Sequence, residues 1–184
     1  MRRSPRSIAA LPALLVGAAV ALAGGRAEAF EHQWHLGGSL GYAALFGGGT
    51  SHGFGGGVHA AYGLNDSFNL MGDVNVTAHP YAQWVVMSGA VGAGYVLDVL
   101  QWVPYVGGLV GGAGVFSSDP RCGISRSEPC KQFRLDLEIP FGVDYQVSRS
   151  FSVGIAGRFQ LLLLGEFPWT TLGAFARAEY TWGY

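Results

Sequence analysis

Apolar and polar residues alternate in eight separate runs along this chain, and a period of two marks a β-strand with two unlike faces. The sixth run is the cleanest. Phe133, Leu135, Leu137, Ile139, Phe141, Val143, Tyr145 and Val147 alternate with Gln132, Arg134, Asp136, Glu138, Pro140, Gly142, Asp144 and Gln146. The first run, about Gln33 to Leu45, sets Trp34, Leu36, Leu40 and Tyr42 against His35, Gly37, Ser39 and Gly41. The second, about Phe54 to Leu64, sets Phe54, Val58, Ala60, Tyr62 and Leu64 against Gly55, Gly57, His59, Ala61 and Gly63. The third, Phe68 to Thr77, opposes Phe68, Leu70, Val74 and Val76 to Asn69, Asp73, Asn75 and Thr77. The fourth, about Trp84 to Leu97, is less regular, with Val85, Met87, Val91, Ala93, Tyr95 and Leu97 over Ser88, Ala90, Gly92 and Gly94. The fifth, Val103 to Phe116, is rich in Gly, and its faces stay unassigned. The seventh covers Phe151 to Leu163. The last puts Leu172, Ala174, Ala176, Ala178, Tyr180, Trp182 and Tyr184 on one face. Thr171, Gly173, Phe175, Arg177, Glu179, Thr181 and Gly183 form the other, with Phe175 the apolar exception.

Each run has about the ~9–11 residues that cross a bilayer as a tilted strand. After residue 29, no segment has the ~20 unbroken apolar residues of a transmembrane helix. A membrane-embedded form must therefore be a closed barrel, which satisfies every backbone group between strands. The reading is all-β: an eight-stranded antiparallel up-and-down transmembrane barrel over residues 30–184, with both ends on the periplasmic side. Odd connections should then be extracellular and longer, even ones periplasmic and short. The expected long ones are about Phe46 to Gly53, Ala78 to Gln83, Ser117 to Lys131 and Leu164 to Trp169. The expected short ones are Asn65-Asp66-Ser67, about Asp98 to Trp102, and Ser148-Arg149-Ser150. Pleating requires outward residues to pair with outward residues, which gives the registers 64↔68 and 147↔151. These place His59 opposite Asp73, and Glu138 opposite Gln160 and diagonal to Arg158.

The start of the chain is of another kind. Arg2, Arg3 and Arg6 precede an apolar stretch from Ile8 to Ala23, and Ala27-Glu28-Ala29 follows as a small-x-small cleavage site. Residues 1–29 read as a cleaved signal peptide, with a retained signal anchor as the alternative, so the mature chain should begin at Phe30. Removing residues 1–29 takes away four Arg and one Glu, leaving 7 basic and 11 acidic residues, a net charge of −4 and only 18 charged residues in 155. Soluble domains carry about 25% charged residues. A soluble barrel with an aromatic core would have to turn its charged faces outward, and there are too few charges to cover that surface. The absence of a basic balance argues against nucleic acid as a partner.

With apolar faces toward lipid, the polar faces enclose the lumen. The candidate interior network is His59, Asp73, Arg134, Asp136, Glu138, Asp144, Arg158, Arg177 and Glu179, with His35 beside it. An eight-stranded barrel is just wide enough for side chains to fill. Three Arg among five acidic groups allow every Arg a partner, which points to a filled lumen, against the alternative of a gated conduit or an active site. The aromatics fall into two groups suited to membrane–water boundaries. Tyr81, Trp84, Phe116, Phe133, Phe167 and Trp169 form the expected upper belt; Trp34, Tyr62, Tyr95, Trp102, Tyr145, Tyr180, Trp182 and Tyr184 form the lower.

Other motifs change the picture little. Gly47-Gly48-Gly49-Thr50-Ser51-His52-Gly53 lacks the Gly-Lys-Ser/Thr ending of a phosphate loop and reads as a flexible loop tip. Cys122 and Cys130, flanked by Pro120 and Pro129, read most simply as a disulfide in an oxidising compartment. Metal binding is the alternative for that pair, but no His lies in the loop. His32 and His35 would project to opposite faces of a strand, which disfavours a shared metal. No metal, cofactor or catalytic residue is assigned.

The topology, the turn Gly63-Leu64-Asn65-Asp66-Ser67-Phe68, the Pro104-Tyr105 pair opening a strand, and the terminal Tyr180, Trp182 and Tyr184 resemble small bacterial outer-membrane barrels of the OmpA-like and OmpW-like type. The resemblance covers essentially the whole mature chain. It implies a place in the outer membrane, lipid as surroundings, and handling by the barrel-assembly machinery through the C-terminal strand. Two-domain OmpA-like proteins add a peptidoglycan-binding domain after the barrel, and none is expected here. Barrels of this class include structural and surface-interaction proteins, narrow conduits for small or apolar solutes, and lipid A-modifying enzymes. Lipid A deacylases of this shape use a His-Ser pair on a late strand. No His follows His79 in this chain, which counts against that chemistry. A structural or surface-interaction barrel leads, a passive conduit is second, and a lipid A-modifying enzyme is third.

Overall fold

A computed structural model describes residues 32–47, 49–97, 101–117, 131–164 and 168–183. It contains β1 (Trp34–Phe46), β2 (Thr50–Gly63), β3 (Phe68–His79), β4 (Trp84–Val96), β5 (Trp102–Ser117), β6 (Lys131–Ser148), β7 (Phe151–Leu163) and β8 (Trp169–Trp182). Each strand pairs antiparallel with the next, and β8 returns to β1 to close the barrel. Trp34 pairs with Trp182 at one end of that seam and Phe46 with Thr170 at the other. Closure leaves no unpaired sheet edge.

Alternation places the two faces as the sequence pattern predicts. Outward Leu40, Phe54 and Phe133 are 76%, 71% and 74% exposed. Inward Asp136 and Glu138 are 0% and 1% exposed. Aromatic pairs rim the end that holds the termini: Trp34 with Tyr62, Phe68 with Tyr95, Trp102 with Tyr145, and Tyr180 with Trp182. On β5 the odd positions turn inward, burying Val103, Tyr105, Leu109, Ala113 and Val115. Its inner face is apolar, like its outer face, so hydropathy alone carries no sign of which is which.

Both predicted registers meet the structure in the strand bodies: His59 pairs with Asp73 and Glu138 with Gln160. At the β6–β7 turn the 147↔151 pairing is replaced by Ser148↔Phe151, with a bulge between Gln146 and Ser148. The turn is tightened to Arg149-Ser150, and Ser150 donates its N–H to Ser148 Oγ at 3.3 Å. The expected alternation of long and short connections also needs correction. Residues 47–49 join β1 to β2 and residues 80–83 join β3 to β4, no longer than the 64–67 and 97–101 links at the other end. The reason is that Thr50–Gly53 and Ala78–His79 belong to strands, paired as Gly53↔Ala43 and Phe54↔Ala78. Apolar alternation stops where the membrane belt stops, whereas backbone pairing does not depend on side-chain hydropathy. The Gly-rich run from Gly47 to Gly53 is therefore mostly strand rather than loop tip.

Two members of the expected upper aromatic belt point the other way. Trp84 occupies an even position on β4 and Trp169 an odd position on β8, both inward parities. Their rings meet edge to face at 5.7 Å over a buried cluster of Val86, Ala113, Val115 and Leu162. Phe133 and Tyr81 are exposed as expected. Residues 1–31, the Cys122–Cys130 pair, Phe167 and Tyr184 lie outside the described residues.

Candidate functional site in the barrel lumen

Inward glycines make the lumen's floor. Gly37 lies under the His59 ring, Gly41 under Phe175, and Gly53 under His79, where a Cβ would collide with the ring or the neighbouring strand. On this floor the inward side chains form three tiers. All nine residues of the predicted network project into the lumen, His59 and Asp73 half-buried and the other charged groups with buried side chains.

The tier nearest the termini centres on Glu179. His35 Nδ1 donates to Glu179 Oε1 at 2.8 Å, and Thr181 Oγ1 lies 3.3 Å from the same nitrogen. His59 Nε2 lies 3.1 Å from Glu179 Oε2 and 2.9 Å from Arg177 Nη2. That nitrogen donates to the carboxylate or accepts from the guanidinium, never both at once. Arg177 also pairs with Glu179, reaches Asp144 Oδ1 at 3.3 Å through Nε, and stacks over the Tyr105 ring at 4.7 Å.

The middle tier joins β4, β6, β7 and β8, with Asp73 and Asn75 of β3 beside it. Arg158 Nε meets Glu138 Oε1 at 2.8 Å, while its guanidinium lies over Phe175 at 4.7 Å. Phe175, the apolar exception of the last run, is thus a seat for a buried cation. Gln160 Nε2 lies 2.9 Å from Asp136 Oδ2, 3.1 Å from Glu138 Oε2 and 3.1 Å from Ser88 Oγ, sharing two protons among three acceptors. Asn75 Nδ2 donates to Asp73 Oδ1 at 2.7 Å.

The third tier closes on Arg134, which donates from Nη2 to Gln132 Oε1 at 2.7 Å and lies 4.2 Å over the Trp169 ring. His79, absent from the predicted network, is fully buried on β3 near this end. Among the described residues, two small cavities adjoin the tier nearest the termini. One, of about 40 Å³, is lined by His59, Asp73, Tyr105, Arg158 and Arg177. The other, of about 30 Å³, is lined by His35, Asn69, Tyr105, Asp144 and Glu179. A water needs ~10–15 Å³ of such space, so each has room for only a few.

Tyr105, Ser88 and Gln160 complete the network in ways a list of charged residues misses. Strand parity identifies Ser88 and Gln160, which share a face with Ala90 and Arg158. Tyr105 becomes legible only through its pairing with Gly142 of β6, whose phase is unambiguous. Among the described residues, no group of three or more His, Cys, Asp or Glu is arranged to hold a metal ion.

A closed eight-stranded antiparallel barrel, apolar outside and polar inside, defines the class of small bacterial outer-membrane β-barrels. Neisserial surface protein A matches it with a TM-score of 0.64 at 16% identity, covering 80% of this chain and 96% of that one. The N-terminal barrel of Pseudomonas aeruginosa OprF matches with a TM-score of 0.56 at 16% identity, covering 83% and 98%. Ail, the attachment invasion locus protein of Yersinia pestis, matches with a TM-score of 0.52 at 13% identity, covering 83% and 99%. No protein-family model matches the chain, and a search of curated proteins returns no relative.

Proposed function

We propose that this chain is an integral barrel of the bacterial outer membrane with a structural or surface-interaction role and a lumen filled by its own side chains. The observation that carries the reading is the packing of the lumen. Three tiers of polar side chains cross it, tied by ion pairs such as Arg158–Glu138 and Arg177–Asp144, and the two small cavities described among them have room for only a few waters each. A filled lumen leaves lipid, the exposed loops and other surface molecules as the points of contact. Ail, named for attachment and invasion, is also known in complex with the heparin analogue sucrose octasulfate. That gives the surface-interaction reading a precedent on the same fold.

In this reading residues 1–29 direct export, the mature chain starts at Phe30, and Tyr180, Trp182 and Tyr184 present the last strand to the barrel-assembly machinery. A Cys122–Cys130 disulfide tightens the longest loop, and no residue is assigned a catalytic role. Planar-bilayer recording tests the proposal: the wild-type barrel at neutral pH should show no steady conductance. A well-resolved, steady conductance would replace it with a narrow conduit for small or apolar solutes. A change in lipid A mass on expression of the protein would replace it with a lipid A-modifying enzyme.

A further inference from the structure

The ladder between β5 and β6 has a gap in its middle. Pairing runs from Trp102↔Tyr145 to Val106↔Phe141 and resumes at Leu109↔Glu138 in the same register. Gly107 and Gly108 on one strand, and Ile139 and Pro140 on the other, are left out. Pro140 is the cause, because proline has no N–H to give to a ladder. On its other side Pro140 keeps its place opposite Arg158 of β7, so the missing donor is the one that would face Gly107. Antiparallel partners of the hydrogen-bonded kind exchange two N–H···O bonds. This pair can make only one, and the Gly107 carbonyl has no donor in the ladder. The gap lies between the Trp102–Tyr145 pair at one membrane boundary and Phe133 at the other. In the hydrocarbon layer between them there is no water to take the donor's place.

The outer wall is hollowed at the same place. A groove of about 440 Å³ passes over Gly108, rimmed by Val91, Val110, Leu137, Ile139, Phe159 and Leu161. Gly108 faces outward, and a Cβ there would meet nothing within 4 Å. The other glycines nearby have a reason inside the barrel. At Gly92 and Gly111 a Cβ would strike the backbone of the next strand, and at Gly112 and Gly114 it would strike the rings of Phe133 and Phe116. What Gly108 provides is room outside the barrel. The groove is continuous with the lipid-facing belt, so an alkyl chain is what reaches it. Methylenes alone would fill the room and leave the carbonyl unpaired. A second copy of this barrel would do no better, because its exposed side chains at this depth, such as Val58, Val74 and Ile155, carry no donor. We propose that the groove at Gly108 seats an alkyl chain bearing a hydroxyl, whose O–H donates to the Gly107 carbonyl. The site is on the outside of the wall and asks nothing of the lumen.

Stearate and a stearate hydroxylated near mid-chain are the probes, titrated into the barrel folded in detergent and read by native mass spectrometry. Wild type should bind the hydroxylated chain about two- to tenfold more tightly than the plain one, the contribution of a single hydrogen bond. Gly108→Leu fills the groove and should release both probes. Pro140→Ala restores an N–H opposite Gly107 and should bind the two probes alike. If Gly108→Leu does not fold, Pro140→Ala carries the test alone. Wild type that binds neither probe, or binds both equally, overturns the site. So does a Pro140→Ala barrel that keeps the preference, or a Gly108→Leu barrel that binds as wild type does. A wild-type dimer that Gly108→Leu separates gives the groove to a second copy and overturns the alkyl chain as its occupant. Conductance through the lumen would count against the filled barrel and leave each of these results standing.

Discussion

Glu138 has the most demanding position of any single residue here, a carboxyl group almost wholly removed from solvent at the centre of the barrel. Its one guanidinium partner is Arg158, and stranding a buried charge costs ~3–5 kcal/mol. Arg158→Ala should lower stability by about that amount, and the double variant with Glu138→Gln should recover part of it, because the unpaired charge is then gone. Chemical unfolding of the folded barrel in detergent reads both, and an unchanged midpoint for Arg158→Ala would show that the pair contributes nothing. The floor beneath the tiers is equally exacting. A Cβ on Gly41 would meet Ala174 O and Phe175 Cα of the neighbouring strand, which cannot rotate aside as a side-chain tip can. Gly41→Ala should cost about 1–3 kcal/mol by overpacking, seen as a lower unfolding midpoint. Gly108, where a Cβ would meet nothing within 4 Å, is the control that should tolerate the same change.

Among the elements, β6 and β5 show what alternation can and cannot reveal. On β6 every inward position from Gln132 to Gln146 is polar, Pro or Gly and every outward one is large and apolar, so strand, phase and partners are legible together. On β5 the inward Val103, Tyr105, Leu109, Ala113 and Val115 are as apolar as the outward Val106 and Val110. Its phase is set by register against β4 and β6, information held in other parts of the chain. Trp84 and Trp169 fail to follow position along the strand for a related reason. Aromatics near a strand end fit the boundary belt by location, but parity sends these two inward, where Arg134 supplies a cation for the Trp169 ring. Lengths of connections were the least legible feature, since Thr50–Gly53 pairs in register without an apolar face to announce it. The connection between β5 and β6 carries its own prediction. A Cys122–Cys130 bond closes a short ring and should contribute about 2–3 kcal/mol to holding that loop together. Alkylation and mass spectrometry of unreduced protein should find no free thiol. Cys122→Ser should still insert, because position 122 falls in the connection between Ser117 at the end of β5 and Lys131 at the start of β6.

For the whole molecule, the closed barrel and its two unlike faces make delivery and folding separate problems. N-terminal sequencing of protein from membranes should begin at Phe30, and a start at Met1 would contradict the signal peptide. The same protein should migrate faster on gels before boiling than after, because a barrel with no free edge resists detergent unfolding. The seam has a consequence for chain connectivity. Trp34 and Trp182 are ladder partners, so the two ends of the described chain lie side by side, and β1–β8 is hydrogen-bonded like every other neighbouring pair. Geometrically the ring has no first strand. A circular permutant that bridges those ends with a short linker and opens at Arg149-Ser150 would keep every strand pairing and both new ends on the original side. In detergent it should close into the same barrel. In cells its last strand would be β6, ending Tyr145-Gln146-Val147-Ser148 in place of the run through Tyr180 and Trp182. If such a chain refolds in the tube yet never reaches the membrane, the terminal aromatics serve as an address, and the architecture itself is indifferent to where the polypeptide starts.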